Sequence, residues 1–390
     1  MKKLTALLLA LVMTFGMVAC GSKTNDTTTP STGDTSNTDT TDTGDTGDTG
    51  DTPTEDTGSG ETLYIPVMAK GFQHAYWQAV KQGADQAAEE LDVEIYFAGP
   101  ASETNIDEQV NMVKTELAKN PKAMALAALS TDSVTEILAE CAEKNIPVIG
   151  FDSGVPGDTT GAVKATAATD NEAAAAIAAE KFGENETVVA AMQNATSDAP
   201  IVIGCLSQDA VSASVTGRTT GFVNKMAEIA ETYQPGKVSI EGHTTWEKKV
   251  ENPAIIIRVE VSATTEATSL QTSASALLGM EGITAIFCSN EGAVTGFLAA
   301  TSDGSDLGEG GKYEGLVVAG FDAGSAQKNA VRNGWFIGSV TQDPVQIGYQ
   351  AVALAVAAAN GEEVADVDTG AKWYDATNID DPDMATLVYD

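Results

Sequence analysis

The chain has 390 residues, 43% hydrophobic and 6% aromatic, enough for two or three cored domains at about 150 residues each. Acidic residues outnumber basic ones 56 to 21, a net charge of −35 that leaves no large basic face for a nucleic acid. With 4 Cys and 2 His at these spacings, neither a zinc cluster nor a disulfide scaffold is expected, and no cofactor or metal site.

Lys2 and Lys3 precede an apolar run, Leu4 to Ala19, that is short for a membrane span and sized like a signal-peptide core. It ends at Met17-Val18-Ala19-Cys20-Gly21. Small residues before a Cys at this point resemble a bacterial lipobox, which implies cleavage before Cys20 and a diacylglyceryl group on its sulfur. The expectation is a lipoprotein signal at 1–20 and a protein lipid-anchored on the extracytoplasmic face of the cytoplasmic membrane. Residues 21–61 are almost wholly Thr, Asp, Gly, Ser and Pro. They have no apolar face to bury and read as a solvated tether reaching roughly 35–40 Å.

From about Thr62, short apolar runs alternate with helix-period segments, the pattern of α/β units on parallel sheets. Leu63 to Ala69 reads as a strand, and Tyr76 to Leu91 as a helix with Val80, Ala84, Ala87 and Leu91 on one face. Glu94 to Ala98 is a strand, and Ile106, Val110, Val113 and Leu117 make a helical stripe. Ala123 to Leu129, Thr131 to Lys144 and Pro147 to Phe151 read as strand, helix and strand. Cys141, Cys205 and Cys288 sit in apolar settings and are expected buried and free.

The chain then repeats itself. Val148-Ile-Gly-Phe-Asp-Ser-Gly154 returns as Val318-Ala-Gly-Phe-Asp-Ala-Gly324. Ahead of each lies a second matched piece, Ser130-Thr-Asp-Ser-Val-Thr-Glu-Ile-Leu-Ala139 and Ser289-Asn-Glu-Gly-Ala-Val-Thr-Gly-Phe-Leu-Ala299, with one inserted residue. Two similar lobes, each with a strand ending in Phe-Asp, is the simplest account.

Ligands of open α/β sheets bind outside the carboxyl ends of the strands. Asp152 and Asp322 sit at such ends, one per lobe. If the lobes face each other, both carboxylates can accept hydroxyls of one neutral polyol through charge-assisted hydrogen bonds. Tyr76-Trp77, at the first strand-to-helix junction, could offer a flat face to a sugar, or pack in the core. Lys70 and His74, in the same loop, could add donors.

These residues bring a family into view. The chain from Leu63 to about Tyr389 resembles the ribose- and galactose-binding group of periplasmic-type sugar-binding proteins of ABC importers. The segments carrying the likeness include Lys70-Gly-Phe-Gln-His-Ala-Tyr-Trp77, Ile146-Pro-Val-Ile-Gly-Phe-Asp152, Thr169-Asp-Asn171, Gly217-Arg-Thr-Thr-Gly-Phe222, Ile286-Phe-Cys-Ser-Asn-Glu291 and Gln342-Asp-Pro-Val-Gln-Ile-Gly348. The resemblance implies an α/β fold of two doubly wound parallel-sheet lobes joined by a three-strand hinge, the type I periplasmic binding protein fold. The crossovers should fall near Thr169, Gln342 and Gly370. Residues 62–168 and 343–369 would form one lobe, and 169–342 and 370–390 the other. It implies ligand contacts from Lys70, His74, Tyr76, Trp77, Asp152, Ser153, Asp170, Thr216, Asn290, Asp322 and Gln342. Thr216 and Ser153 fall where ribose binders place Arg, and Arg218 matches a nearby Arg with a structural role. A stretch from about His243 to Ser262, with Trp246, looks inserted.

The expected partners are a small-molecule sugar and an ABC transporter permease, with no nucleic acid, and a monomer touching the membrane only through its lipid. Lys70, the Asp152-Ser153 pair, and Tyr96-Phe-Ala-Gly-Pro100 followed by Gln109-Val110 also resemble the autoinducer-2 and rhamnose binders of the same fold. A furanose-like signal or a deoxysugar is therefore the alternative ligand, and a sensor reporting to a membrane receptor the alternative role. No Ser-His-Asp spacing, Walker loop or His-Glu-x-x-His is present, which leaves little for an enzyme.

Overall fold

In a computed structural model that describes residues 62–389, the folded chain builds two parallel sheets, each wrapped by helices on both faces. The segments expected to be a lipobox and a tether, Cys20 included, lie outside the described residues. The first sheet begins with β1 (Tyr64–Met68), β2 (Glu94–Ala98), β3 (Met124–Leu126), β4 (Val148–Phe151) and β5 (Val163–Ala168). The second holds β6 (Ile201–Ser207), β7 (Val238–Glu241), β8 (Ile255–Val261), β9 (Ile283–Cys288), β10 (Val317–Phe321) and β11 (Gly338–Gln342). The chain then adds β12 (Val367–Asp368) to the first sheet and β13 (Ala371–Tyr374) to the second.

Both sheets share one winding. The first runs β2-β1-β3-β4-β5-β12 and the second β7-β8-β6-β9-β10-β11-β13. Stripped of the edge strands β7, β12 and β13, each reads 2-1-3-4-5, the doubly wound order whose loops meet at the carboxyl ends of the strands. Every pair is parallel except β11 with β13. Apolar clusters lie on both faces of each sheet, so the inner strands read as near-continuous apolar runs.

Three passages carry the chain between sheets. After β5 the helix Asn171–Glu184 packs on the second sheet, and after β11 the helix Pro344–Ala359 packs back on the first. Close helix pairing depends on glycine in both layers. A Cβ on Gly83 would strike the Val345 carbonyl, and one on Gly348 the Val80 carbonyl, where helix Ala75–Glu90 meets helix Pro344–Ala359. In the other layer a Cβ on Gly221 would strike the Glu172 carbonyl.

Local details depart from the sequence reading. The expected helix Thr131–Lys144 opens as one 3₁₀ turn, Asp132–Val134, before the α-helix Thr135–Glu143. Ser133 Oγ donates to the Ser130 carbonyl there and competes with the regular helical start. The second half of the expected insertion is simply β8. Its first half, 242–254, is a helix-free crossover between the parallel strands β7 and β8, pinned by Trp246. That indole is 8% exposed, packs in the core of the second sheet, donates to Thr220 Oγ1 at 2.9 Å and does not line the cavity between the sheets. Cys141, Cys205 and Cys288 are buried and free, as their surroundings in the sequence implied.

Candidate functional site

The two Phe-Asp strand ends converge. Asp152 follows β4 and Asp322 follows β10, and both take the left-handed backbone, at φ 52° and 75°. Asp tolerates that region better than most residues. In each copy the Asp N–H donates to the neighbouring strand, to Ala167 O at 3.0 Å and to Val340 O at 2.7 Å. The paired turn aims both carboxylates into one narrow cavity between the sheets, with about 20 Å³ of room.

Residues of both lobes line it. Lys70, His74, Tyr76, Trp77, Glu103 and Asp152 come from the strand ends, loops and helix starts of the first sheet, and Ser214, Val215, Arg218, Asn290, Glu291, Asp322 and Gln342 from those of the second. Of the residues expected from the sequence, eight meet here: Lys70, His74, Tyr76, Trp77, Asp152, Asn290, Asp322 and Gln342.

The other three do not line it. Asp170 is exposed and caps the helix Asn171–Glu184, accepting from Ala173 N at 3.0 Å. Thr216 lies on the flank of the helix Ala213–Tyr233, where its carbonyl accepts from Thr220 Oγ1. Ser153 is fully buried beside the cavity and accepts from Ser214 N at 3.1 Å, a bond across the cleft. Arg218, two residues past Thr216, fills the cationic place instead. The near-100° step per helical residue turns the two side chains well apart.

The two aspartates are not equivalent. Asp322 already has protein donors on both oxygens: Gln342 Nε2 at 2.7 Å on Oδ1, and Glu291 N at 3.0 Å with Arg218 Nη1 at 3.4 Å on Oδ2. Arg218 also donates to Asn171 Oδ1 at 2.8 Å and lies over the Phe321 ring. Asp152 Oδ1 accepts from Tyr76 OH at 2.6 Å. Its Oδ2 stands 3.6 Å from Lys70 Nζ and has no hydrogen bond. Gln342 Oε1 and Glu291 Oε2 are likewise buried without a partner.

The aromatic pair acts more through its polar ends than as a free platform. Tyr76 and Trp77 meet edge to face at 5.1 Å, and Trp77 is 1% exposed. Trp77 Nε1 donates to Glu103 Oε1 at 2.8 Å, and Glu103 Oε2 accepts from Gln208 Nε2 of the other lobe at 2.8 Å. Gln208 Oε1 in turn accepts from Asn290 Nδ2 at 2.8 Å, while Asn290 Oδ1 caps the helix Glu291–Ala300. This chain of bonds spans the cleft, and Thr104–Thr265 and Ser102–Glu266 add two more bridges at its rim. Glu103, Gln208, Ser214 and Glu291 had no signature beyond being polar residues just past a strand or opening a helix.

Electrostatics follow burial and these pairings. Burial opposes the Lys70 charge, yet Asp152, Glu103 and Asp209 outweigh it and hold the ammonium above its usual range. Burial also works against a charged Glu103, but Lys70, His74, Trp77 and Gln208 hold it below the usual carboxylate range. Burial, then Asp152, pushes the Tyr76 phenol well up, so it stays a donor. Among the described residues no His/Cys/Asp/Glu group is placed to hold a metal ion, and no helix is long and apolar enough to cross a membrane.

A polar cavity between two α/β lobes, with donors and acceptors supplied from both, is the architecture of a hinged solute-binding protein. Residues 65–363 match the periplasmic binding protein domain family, and the chain belongs to it. The chain is 24% identical over 310 residues to the D-allose-binding periplasmic protein of Escherichia coli (strain K12), covering 77% of this chain and 86% of that one. Among solved structures it is similar to one from Brachyspira murdochii described as an ABC transporter, LacI family transcriptional regulator. The TM-score is 0.71 and the identity 40%, with 84% of this chain and 99% of the other covered. A solute-binding protein of an ABC transporter from Agrobacterium vitis, solved with bound D-fucose, gives a TM-score of 0.68 and 25% identity. There the cover is 84% and 100%.

Proposed function

We propose that this chain captures a monosaccharide or related polyol between its lobes and delivers it to an ABC transporter permease. The observation that carries this reading is the set of three buried acceptors without donors, Asp152 Oδ2, Gln342 Oε1 and Glu291 Oε2, around one cavity. A buried acceptor left unpaired costs about 1–3 kcal/mol, so the site calls for a ligand rich in O–H donors. The lobes stand nearly shut on the cavity, which has about 20 Å³ of room, so a ligand would enter with the hinge open, and the enclosed polar lining suits one sugar ring better than an oligosaccharide. The sugars named with its relatives, D-allose and D-fucose, are of that kind. The groups hold and orient hydroxyls, and the role is binding without chemistry.

Capture works by hinge closure of residues 62–168 with 343–369 against 169–342 with 370–390. The bonds from Gln208 to Glu103 and from Ser214 to Ser153 hold the closed form. The monomer is tethered by a lipid on Cys20 through residues 21–61. Loss of fatty-acid labelling and membrane association in Cys20→Ala checks the anchor, and persistence of both refutes it. A thermal-shift screen of sugars and polyols, followed by calorimetry and solution scattering on the best binder, tests the function. The expected result is saturable binding with a smaller radius of gyration. A panel that shifts nothing would overturn the sugar reading, and a response only to furanose-like signals or deoxysugars would move the ligand class.

A further inference from the structure

The helix Ala75–Glu90 carries Tyr76 and Trp77 into the cleft without a cap of its own. Its N-cap residue, His74, makes no capping bond through its side chain, and its first turn holds no acidic residue. Its first N–H groups therefore need an acceptor from elsewhere, and the end of the helix favours a negative charge. A carboxylate of the other lobe stands at that end. Glu291 opens the helix Glu291–Ala300 just past β9, and its side chain lies beside the Ala75 and Tyr76 N–H groups and lines the cavity with Tyr76 and Trp77. Glycines leave it room: a Cβ on Gly324 would collide with Glu291 Oε1, and one on Gly292 with Gln208 Oε1.

The second oxygen, Glu291 Oε2, is buried and unpartnered. Two other acceptors of the cavity share that state, Asp152 Oδ2 from one lobe and Gln342 Oε1 from the other, on residues 3% and 2% exposed. The other cavity carboxylates face a cation or are bonded on both oxygens. Asp152 faces Lys70, Asp322 faces Arg218, and Glu103 is bonded by Trp77 and Gln208. Among the described residues no Lys or Arg pairs with Glu291.

We infer that Glu291 is a two-sided ligand-holding residue, one oxygen capping the opposite lobe's helix and the other accepting a hydroxyl of the bound sugar. This rests on the sugar reading above and deepens it. Both bonds exist only when the cleft is shut, so the hydroxyl facing Glu291 and the helix cap are made together. A ligand that lacks that hydroxyl leaves a carboxylate buried and half satisfied, and closes the cleft poorly.

The probes are D-allose, D-fucose and D-ribose, and the variants are Glu291→Gln, which keeps the shape, and Glu291→Ala, with Asp152→Asn beside them. Calorimetry should show the best-binding sugar weakened at least about tenfold by either Glu291 change, as for loss of a bond to a charged group. Monodeoxy forms of that sugar should reveal one position whose removal weakens the wild type by a similar factor and leaves Glu291→Gln unaffected. Wild-type affinity in both Glu291 variants, with Asp152→Asn weakened, overturns the role of Glu291 and leaves the sugar reading standing. If no sugar binds the wild type, the sugar reading fails, and hydrogen exchange on the sugar-free protein decides the capping half. Faster exchange of the Ala75 and Tyr76 amides in Glu291→Ala supports the cap, and unchanged exchange overturns it. Should Glu291→Ala fail to fold, Glu291→Gln carries the same comparisons.

Discussion

Asparagine placed separately at positions 152 and 322 removes one carboxylate charge from each lobe with almost no change of shape. Both positions have positive φ, a conformation Asn adopts readily, so the backbone contributes little to either effect. At 322 the loss falls on Arg218, which is 3% exposed and keeps Asn171, a carbonyl and the Phe321 ring but no charged partner. Breaking a buried ion pair from one side costs about 3–5 kcal/mol. The 3.4 Å separation and the surviving partners favour the lower end, about 3 kcal/mol. At roughly 2–4 °C per kcal/mol for a domain of this scale, Tm should fall by about 6–12 °C. At 152 the Lys70 pair is longer, 3.6 Å, and has no hydrogen bond, while Lys70 keeps Ser214 and the nearby Glu103 and Asp209. Because Lys70 keeps two negative neighbours, its charge is not left uncompensated, so the cost should fall below the roughly 3–5 kcal/mol of a broken buried pair and Tm should drop less than at 322.

Affinity should rank the other way. Asp152→Asn replaces the one free carboxylate oxygen of that pair, worth about 1.5–3 kcal/mol to a ligand hydroxyl, so Kd should rise about ten- to a hundredfold. Asp322→Asn keeps an acceptor for Gln342 and should cost less affinity. Thermal denaturation without sugar and calorimetry with the best binder measure both quantities. Equal losses of Tm and equal losses of affinity in the two variants would refute the division into a ligand-holding and an organising aspartate.

Gly83→Ala, whose new methyl would meet the Val345 carbonyl, should destabilise the protein by about 1–3 kcal/mol or more in chemical denaturation. Wild-type stability there would mean the two helices are not in close contact. Trp246→Ala should cost about 3–5 kcal/mol while leaving the Kd for sugar unchanged, since that indole fills the core behind a crossover and not the cleft. A shifted Kd at full folding would place it near the ligand. Burial pushes the Cys141 thiol up to about 11 and Cys205 up to about 12, so both are protonated near pH 8. Iodoacetamide should label neither thiol in the native protein at that pH, and both in denaturant. Rapid native labelling would show that one of them is exposed.

Much of the frame was legible in the chain itself, because local periodicity and turn residues report on local structure. The alternation of apolar runs and helical stripes marked strands and helices to within a residue or two from Leu63 to Leu117, while the strand expected at Ala123–Leu129 is only Met124–Leu126 and the helix expected from Thr131 becomes α-helical at Thr135. The doubled Phe-Asp segment marked equivalent strand ends in two lobes, and with them Asp152 and Asp322. Residue type alone could not separate the two aspartates. Asp322 is occupied by Gln342 and Arg218, while Asp152 keeps an oxygen free, and that follows from partners 104 and 20 residues away in one case and 76 in the other. Arg218 displaced Thr216 for the same reason: two positions on one helix point in different directions, and only the packed neighbour shows which faces the cleft. Glu103 and Gln208 act across the cleft, between segments more than 100 residues apart, through a bond that exists once the lobes close, and Glu291 lines the cavity opposite Tyr76. No local pattern encodes such a contact, since each residue alone satisfies only the rule that polar side chains follow strands. The chain order therefore determined the elements and their repeat, and the folding of one lobe against the other decided which side chains share the buried cavity and which of their atoms remain open to a ligand.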